Sequence, residues 1–283
     1  MGSMAVWIVG SAAALIWSVL NSNFWTSLAG AGAGAIAGAW AAQEIADRRA
    51  TSKRQIEEAR STNAAVAATI AVINTYAALK RQHVAPTKQA YDRAAKKMHD
   101  LHNRHAQGMV PPGTTVRFSA DLKTLTPPHT PIDILGNLLS EKIDARTQLS
   151  AIYYLLAQAA THLAETLEQR NELITWMQND GPTTDQGKAE VYFGLRQSTG
   201  RIDSRYPDLM TAMELQTNDC IVFGKALAED LAKHSHVLAQ NKVKGMPKAA
   251  TCNMEELSEM GLLPDMAEYR ELLARTRGEK IGQ

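Results

Sequence analysis

Charge is absent from the opening of the chain and then arrives abruptly. Residues 4–20, MAVWIVGSAAALIWSVL, and residues 24–42, FWTSLAGAGAGAIAGAWAA, hold no Asp, Glu, Lys or Arg, and Asn21-Ser22-Asn23 lies between them. Three polar residues with strong turn preference suit a reversal of the chain. One helix over both runs would be about 58 Å long, whereas the hydrocarbon core of a bilayer is about 30 Å thick. The pattern therefore predicts a membrane anchor at 1–42, built as a hairpin of two short spans, 4–20 and 24–42.

Beyond Gln43 the apolar positions fall into helical spacing. No Pro or Gly interrupts 43–83, and Ile45, Ile56, Ala59, Val66, Ile70, Ile73 and Ala77 alternate at three- and four-residue steps. Arg49, Ser52 and Asn63 interrupt that seam, so it reads as a helical packing face. The run 64–79 is apolar but short, Ala-rich and dotted with Thr69, Asn74 and Thr75. It reads as a buried bundle helix, not a third span. Pro86 is expected to break the chain, with a helix at 87–105 after it. A loop at 107–131 holds five of the ten prolines, with a short extended piece at 116–118, and is the expected moving or partner-facing segment. One long helix is predicted over 132–177, striped by Ile152, Leu155, Leu156, Ala159 and Leu163. Shorter helices follow at 188–197, 254–260 and 265–275, and another long one at 207–241. Alternating strand patterns are nearly absent. The fold class is all-α: an N-terminal transmembrane helical hairpin followed by an elongated cytoplasmic bundle (43–244) of long antiparallel helices, with a C-terminal helical appendix (245–283).

Other residues sharpen the anchor. Four of the five tryptophans, Trp7, Trp17, Trp25 and Trp40, lie within it. A fold at 21–23 places Trp17 and Trp25 near the turn and Trp7 and Trp40 at the other face, as interfacial indoles require. Gly30, Gly34 and Gly38 share one helix face, where small residues allow close backbone approach in lipid. That face receives either the first helix or a second copy of the chain, making a homo-oligomer. Arg48, Arg49, Lys53 and Arg54 follow the apolar runs, which makes this flank cytoplasmic by the positive-inside rule. A signal peptide would need a basic start, which is missing.

The string NSNFWTSLAGAGAGAIAGAWAAQ, residues 21–43, resembles the anchor of a group of uncharacterised bacterial membrane proteins. The resemblance implies a membrane location, here the bacterial inner membrane with the main domain in the cytoplasm, and no activity.

Charge and cysteine content narrow the function classes. Thirty Lys and Arg against twenty-nine Asp and Glu give a net charge of +1, so overall charge signals neither a nucleic-acid protein nor an acidic tail. Cys220 and Cys252 share no metal or redox spacing, and their scarcity fits a reducing compartment. Residues 80–105 concentrate seven Lys and Arg against two Asp. Such a patch suits a solvated face first, then anionic lipid or non-specific nucleic-acid contact. Within it His99, His102 and His105 recur every third residue over about 120° of helix, so neighbouring pairs could share a metal. No Cys or Glu completes a ligand set locally. His162, Asn74 and Gln158 read as buried polar residues on apolar faces.

Arg93 and His99, separated by five residues, resemble the Arg-x(4–6)-His element of HEPN ribonucleases, although Ala94 stands where that family usually carries a polar residue. The resemblance implies metal-independent RNA cleavage with the histidine moving protons. Phosphate-binding, dinucleotide, zinc-protease and serine-hydrolase signatures are absent, and no cofactor is implied. The expected function is a membrane-anchored helical scaffold or sensor that oligomerises and engages a cytoplasmic protein partner. The alternatives are an oligomeric pore-forming or membrane-disrupting effector, and a membrane-tethered HEPN-like nuclease.

Overall fold

The computed structural model describes residues 23–111, 117–144, 147–241 and 243–279, with side chains at residue 35 and from residue 37 onward. Among the described residues the chain is all-helical, without strands, and its helices form a bundle. The span 4–20, its turn at Asn21 and Ser22, and Trp7 and Trp17 lie outside the described residues. So do the side chain of Trp25 and the surroundings of Gly30 and Gly34.

Eight α-helices are described: α1 (Asn23–Leu79), α2 (Ala85–Ala106), α3 (Ile132–Glu141), α4 (Thr147–Asn179), α5 (Asp185–Phe193), α6 (Arg205–Ala239), α7 (Glu255–Glu259) and α8 (Arg270–Arg277). A five-residue π-helical turn, Lys80–Val84, joins α1 to α2. The chain divides into two compact units, with the boundary between Ile56 and Glu57. In the first, Ala37–Ala42 are exposed, Trp40 to 80% and Ile45 to 50%.

The second unit is built on α4 and α6, the most extensively paired helices. On α4 the buried side chains recur as Leu149, Ile152, Leu156, Ala159, Leu163, Leu167, Arg170, Ile174 and Met177, a stripe at three- and four-residue spacing. The matching face of α6 buries Met210, Met213, Cys220, Ile221, Leu227 and Leu231. The end of α1 joins them through Val66, Val72, Ile73, Tyr76 and Ala77. Residues 64–79 are therefore a packed bundle helix. The helical run Ala37–Ala106 includes a stretch long and apolar enough to cross a membrane, half of it buried inside the protein. Each fully buried Leu, Ile or Met contributes about 1.5–3 kcal/mol. Gly224 permits the close approach of α6 to α1, since a Cβ there would stand 2.7 Å from Cγ1 of Ile73.

The C-terminal segment is part of this second unit. Leu257, Leu262, Tyr269 and Leu273 enter the core. Asn63 fastens it to α1: its Nδ2 donates to the Lys248 carbonyl at 2.8 Å, and its Oδ1 accepts from the Ala250 N–H at 3.0 Å and the Ser235 hydroxyl at 2.6 Å. Arg277 pairs with Asp230 at 2.8 Å.

Several expectations need correction. The helix predicted over 132–177 is two helices. The backbone N–H of Asp144 donates to Oε1 of Glu58 at 3.2 Å, and Ile143 turns into the core, so tertiary contacts end α3 where no Pro or Gly does. Pro86 does not break the chain: the π-turn Lys80–Val84 passes straight into α2 with Val84 and Ala85 still right-handed helical, and the proline lies at the start of α2. Helix α5 begins earlier than expected, at a Thr184 cap whose side chain accepts from the Gly187 N–H, and ends at Gly194 with φ 64°. Arg117 and Phe118 belong to no strand, and residue 116 lies outside the described residues. His162, Asn74 and Gln158 are exposed, each adjacent to a buried stripe and not on it.

Candidate functional site

Helix α2 carries the residues expected to do chemistry, and the bundle treats them differently. Tyr91 is buried on its inner face, where it meets Tyr192 and Phe193 of α5 and Tyr206 of α6 with ring centroids 5.5, 6.0 and 5.8 Å away. Phe118 closes this aromatic cluster edge-on against Tyr192 at 5.4 Å. Two turns along α2, the Nε2–H of His99 donates to the Phe193 carbonyl at 3.0 Å. That bond satisfies one of the orphan carbonyls at the end of α5. The ring is thus an anchor between two helices.

His102 and His105 instead line a cleft of about 560 Å³, together with Arg117, Asp185 and Glu190 over a floor that includes Leu101 and Leu195. Two imidazoles, one guanidinium and two carboxylates face this space. Among the described residues, no group of three His, Cys, Asp or Glu side chains sits close enough to hold a metal ion. His99 is turned to its carbonyl while the other two meet the cleft.

Arg93 is exposed and its Nε donates to the carbonyl of Gln89 in its own helix at 3.2 Å. Six residues of helix set Arg93 and His99 about 9 Å apart along the axis and about 120° around it. No hydrogen bond among the described residues joins them. Elsewhere in the basic segment, Lys88 pairs with Asp92 at 2.7 Å and lies 3.7 Å from Glu214, and Lys80 donates to the Leu262 carbonyl at 3.0 Å. Burial lowers the pKa of Lys80. Part of the basic segment therefore serves internal contacts, leaving Lys96, Lys97 and Arg104 exposed.

Neither cysteine is set up as a nucleophile. Burial pushes the Cys220 thiol well above its ordinary value, with the nearby Asp219 adding to the effect. Burial also raises Cys252. A thiol held protonated is a poor nucleophile and metal ligand.

The proline-rich loop is not free where it is described. Phe118, Ala120, Leu122 and Leu125 pack against the core. Leu125 makes a reciprocal pair with the Asn171 side chain, its N–H donating at 3.0 Å and its carbonyl accepting at 2.7 Å. Beside it Nη1 of Arg170 donates to the Lys123 carbonyl at 2.9 Å. Arg170 is 1% exposed, with no ion-pair partner among the described residues. Withdrawing an unpaired charge from water costs several kcal/mol, about 3–5 where a partner is removed. The sequence reading missed this arginine. Its signal was positional: residue 170 falls three after Leu167 and four before Ile174, on the buried stripe of α4.

No family model matches the chain, and neither a curated protein nor a solved structure does so. The likeness of residues 21–43 to bacterial membrane anchors, and of Arg93 and His99 to the HEPN element, rests on those residues alone.

Proposed function

We propose that this chain is a membrane-anchored helical scaffold or sensor. Residues 1–42 are the anchor, folded as a hairpin of two spans in a bacterial inner membrane, and the bundle stands in the cytoplasm. The glycine face at Gly30, Gly34 and Gly38 brings copies together, and the bundle engages a cytoplasmic protein.

One observation carries the anchor. Ala37–Ala42 have no charged side chain, yet all are exposed, with the indole of Trp40 80% exposed and open space beside Gly38. Further along the same helix, Ala65, Val66, Val72 and Ile73 are at most 1% exposed. Apolar surface left in water forfeits about 25 cal/mol per Å², so an uncovered apolar helix calls for lipid or another apolar surface. The cations Arg48, Arg49, Lys53 and Arg54 immediately beyond it fit the cytoplasmic side of a bilayer.

Fractionation tests this reading. The full chain should remain in the membrane pellet through a high-salt wash, and a chain lacking residues 1–42 should be released as a folded helical protein. Salt is needed because exposed Lys and Arg also hold anionic lipid through a contact that salt screens. A truncated chain that still pellets in high salt would overturn the assignment.

A further inference from the structure

We infer that the cavity between the start of α2, the 119–125 segment and α4 is a binding site for a small organic carboxylate, gripped by the guanidinium of Arg170. The inference does not rest on the membrane reading.

The cavity measures about 420 Å³ and is lined by Thr87, Tyr91, Ser119, Arg170 and Tyr192, among others. That volume lies within the roughly 300–1,000 Å³ range of small-molecule sites. Pro86, Ala90 and Ala94 leave the room on the α2 side.

Arg170 is the unexplained group. It is 1% exposed, and its Nη1 is occupied by the Lys123 carbonyl at 2.9 Å, but its buried Nε has no hydrogen-bond partner. No carboxylate pairs with it among the described residues; its guanidinium carbon lies 5.7 Å from the Tyr206 ring centroid, and its charge also acts on the Tyr192 hydroxyl. The Nε–H belongs to the side-on edge of the guanidinium, the edge that takes a carboxylate through two parallel N–H bonds. A buried donor left unmade and a buried charge left unbalanced are both costly. A carboxylate that enters the adjoining cavity and parts the lining side chains to reach the Nε edge satisfies both.

Charge selects the kind of anion. One buried guanidinium balances one negative charge. Asp121 also lines the cavity, but the Lys123 ammonium 3.5 Å away, itself a lining residue, offsets it, and His83 lines the same space. A monocarboxylate matches the single buried guanidinium and presents two oxygens to its side-on edge. The rings of Tyr91 and Tyr192 offer the ligand an apolar, flat wall, which suits an organic acid with an apolar or aromatic body. The hydroxyls of Thr87 and Ser119 stand ready for its polar substituents.

Benzoate is the probe. The full-length protein is purified in non-ionic detergent, and thermal unfolding is followed against benzoate at constant ionic strength held with chloride. A parallel arm uses inorganic phosphate. Benzoate should raise the Tm saturably, by about 5 °C or more when it reaches about 100-fold above its Kd. The ¹⁵N resonance of Arg170 Nε should shift as its N–H acquires an acceptor. Arg170→Met removes the unbalanced charge while keeping bulk, and should fold yet lose the benzoate response. A benzoate response no larger than chloride's, a larger response to phosphate, or a response that survives in R170M would each overturn the proposal. If R170M does not fold, the wild-type Nε resonance decides: one that stays in place under benzoate overturns it.

Discussion

The hydroxyl of Tyr269 donates a 2.7 Å hydrogen bond to Oδ1 of Asp219, tying the C-terminal segment to the middle of α6. Burial raises the Asp219 carboxyl above its ordinary value, and the tyrosine's bond opposes that rise. The folded protein therefore holds this proton more tightly than the unfolded chain does. The stabilisation is complete below the ordinary Asp value and is lost as pH climbs through the raised one. Asp219→Asn should abolish this loss of stability between the two values. Tyr269→Phe removes the group that favours the carboxylate, so the loss should extend to higher pH, with about 1.5–3 kcal/mol of stability gone near neutrality. Urea midpoints measured across pH 3 to 7 for the three proteins provide the check. Parallel curves for wild type and D219N would refute the argument.

Gly224 should tolerate no side chain while Ile73 stays in place. A Cβ would stand 2.7 Å from Cγ1 of Ile73, a buried atom with little freedom to move. Gly224→Ala should therefore cost about 1–3 kcal/mol despite alanine's better helix propensity. Pairing it with Ile73→Ala, which removes the obstructing atom, should give a double mutant more stable than the sum of the two single losses. A double-mutant cycle by chemical denaturation measures the coupling; simple additivity would show that the helices shift freely.

Asn63 holds the start of the C-terminal segment to α1. Asn63→Ala strips the Lys248 carbonyl of its partner and leaves the Ala250 N–H with the Ser235 hydroxyl alone. The expected loss is about 2–3 kcal/mol, with faster amide exchange at Ala250. Exchange unchanged at that amide would mean the Ser235 hydroxyl, 3.1 Å away, suffices by itself.

How much of this was legible beforehand follows from the kind of signal each feature leaves. Helix α6 was expected from Pro207 and runs from Arg205, because a proline at a helix start and a long apolar periodicity are local signals. The gap between α3 and α4 left none. It arises from Asp144 bonding to Glu58, eighty-six residues away in sequence. The glutamine and histidine at 158 and 162 were placed inside because their neighbours are apolar, yet one helical position separates an exposed side chain from a buried one. The same arithmetic hid Arg170. A charged residue is read as solvent-facing by type, and only its phase within the Leu163–Leu167–Ile174 stripe marks it as internal. The histidines of α2 were visible as a cluster, but not that a carbonyl of α5 would claim one of them.

The π-turn at Lys80–Val84 has its own consequence. A π-turn accommodates one residue more than an α-helix would, through the bond from the Ala85 N–H to the Lys80 carbonyl. Every side chain of α2 is thereby turned about 100° from where an uninterrupted α-helix would put it. With the same residues wound as an uninterrupted α-helix on the same axis, Ala90 would stand where Tyr91 now stands, and a methyl group would replace a phenol at the hub of Tyr192, Phe193 and Tyr206. The extra residue acts as a phase-setter, and the aromatic hub exists only in the phase it imposes.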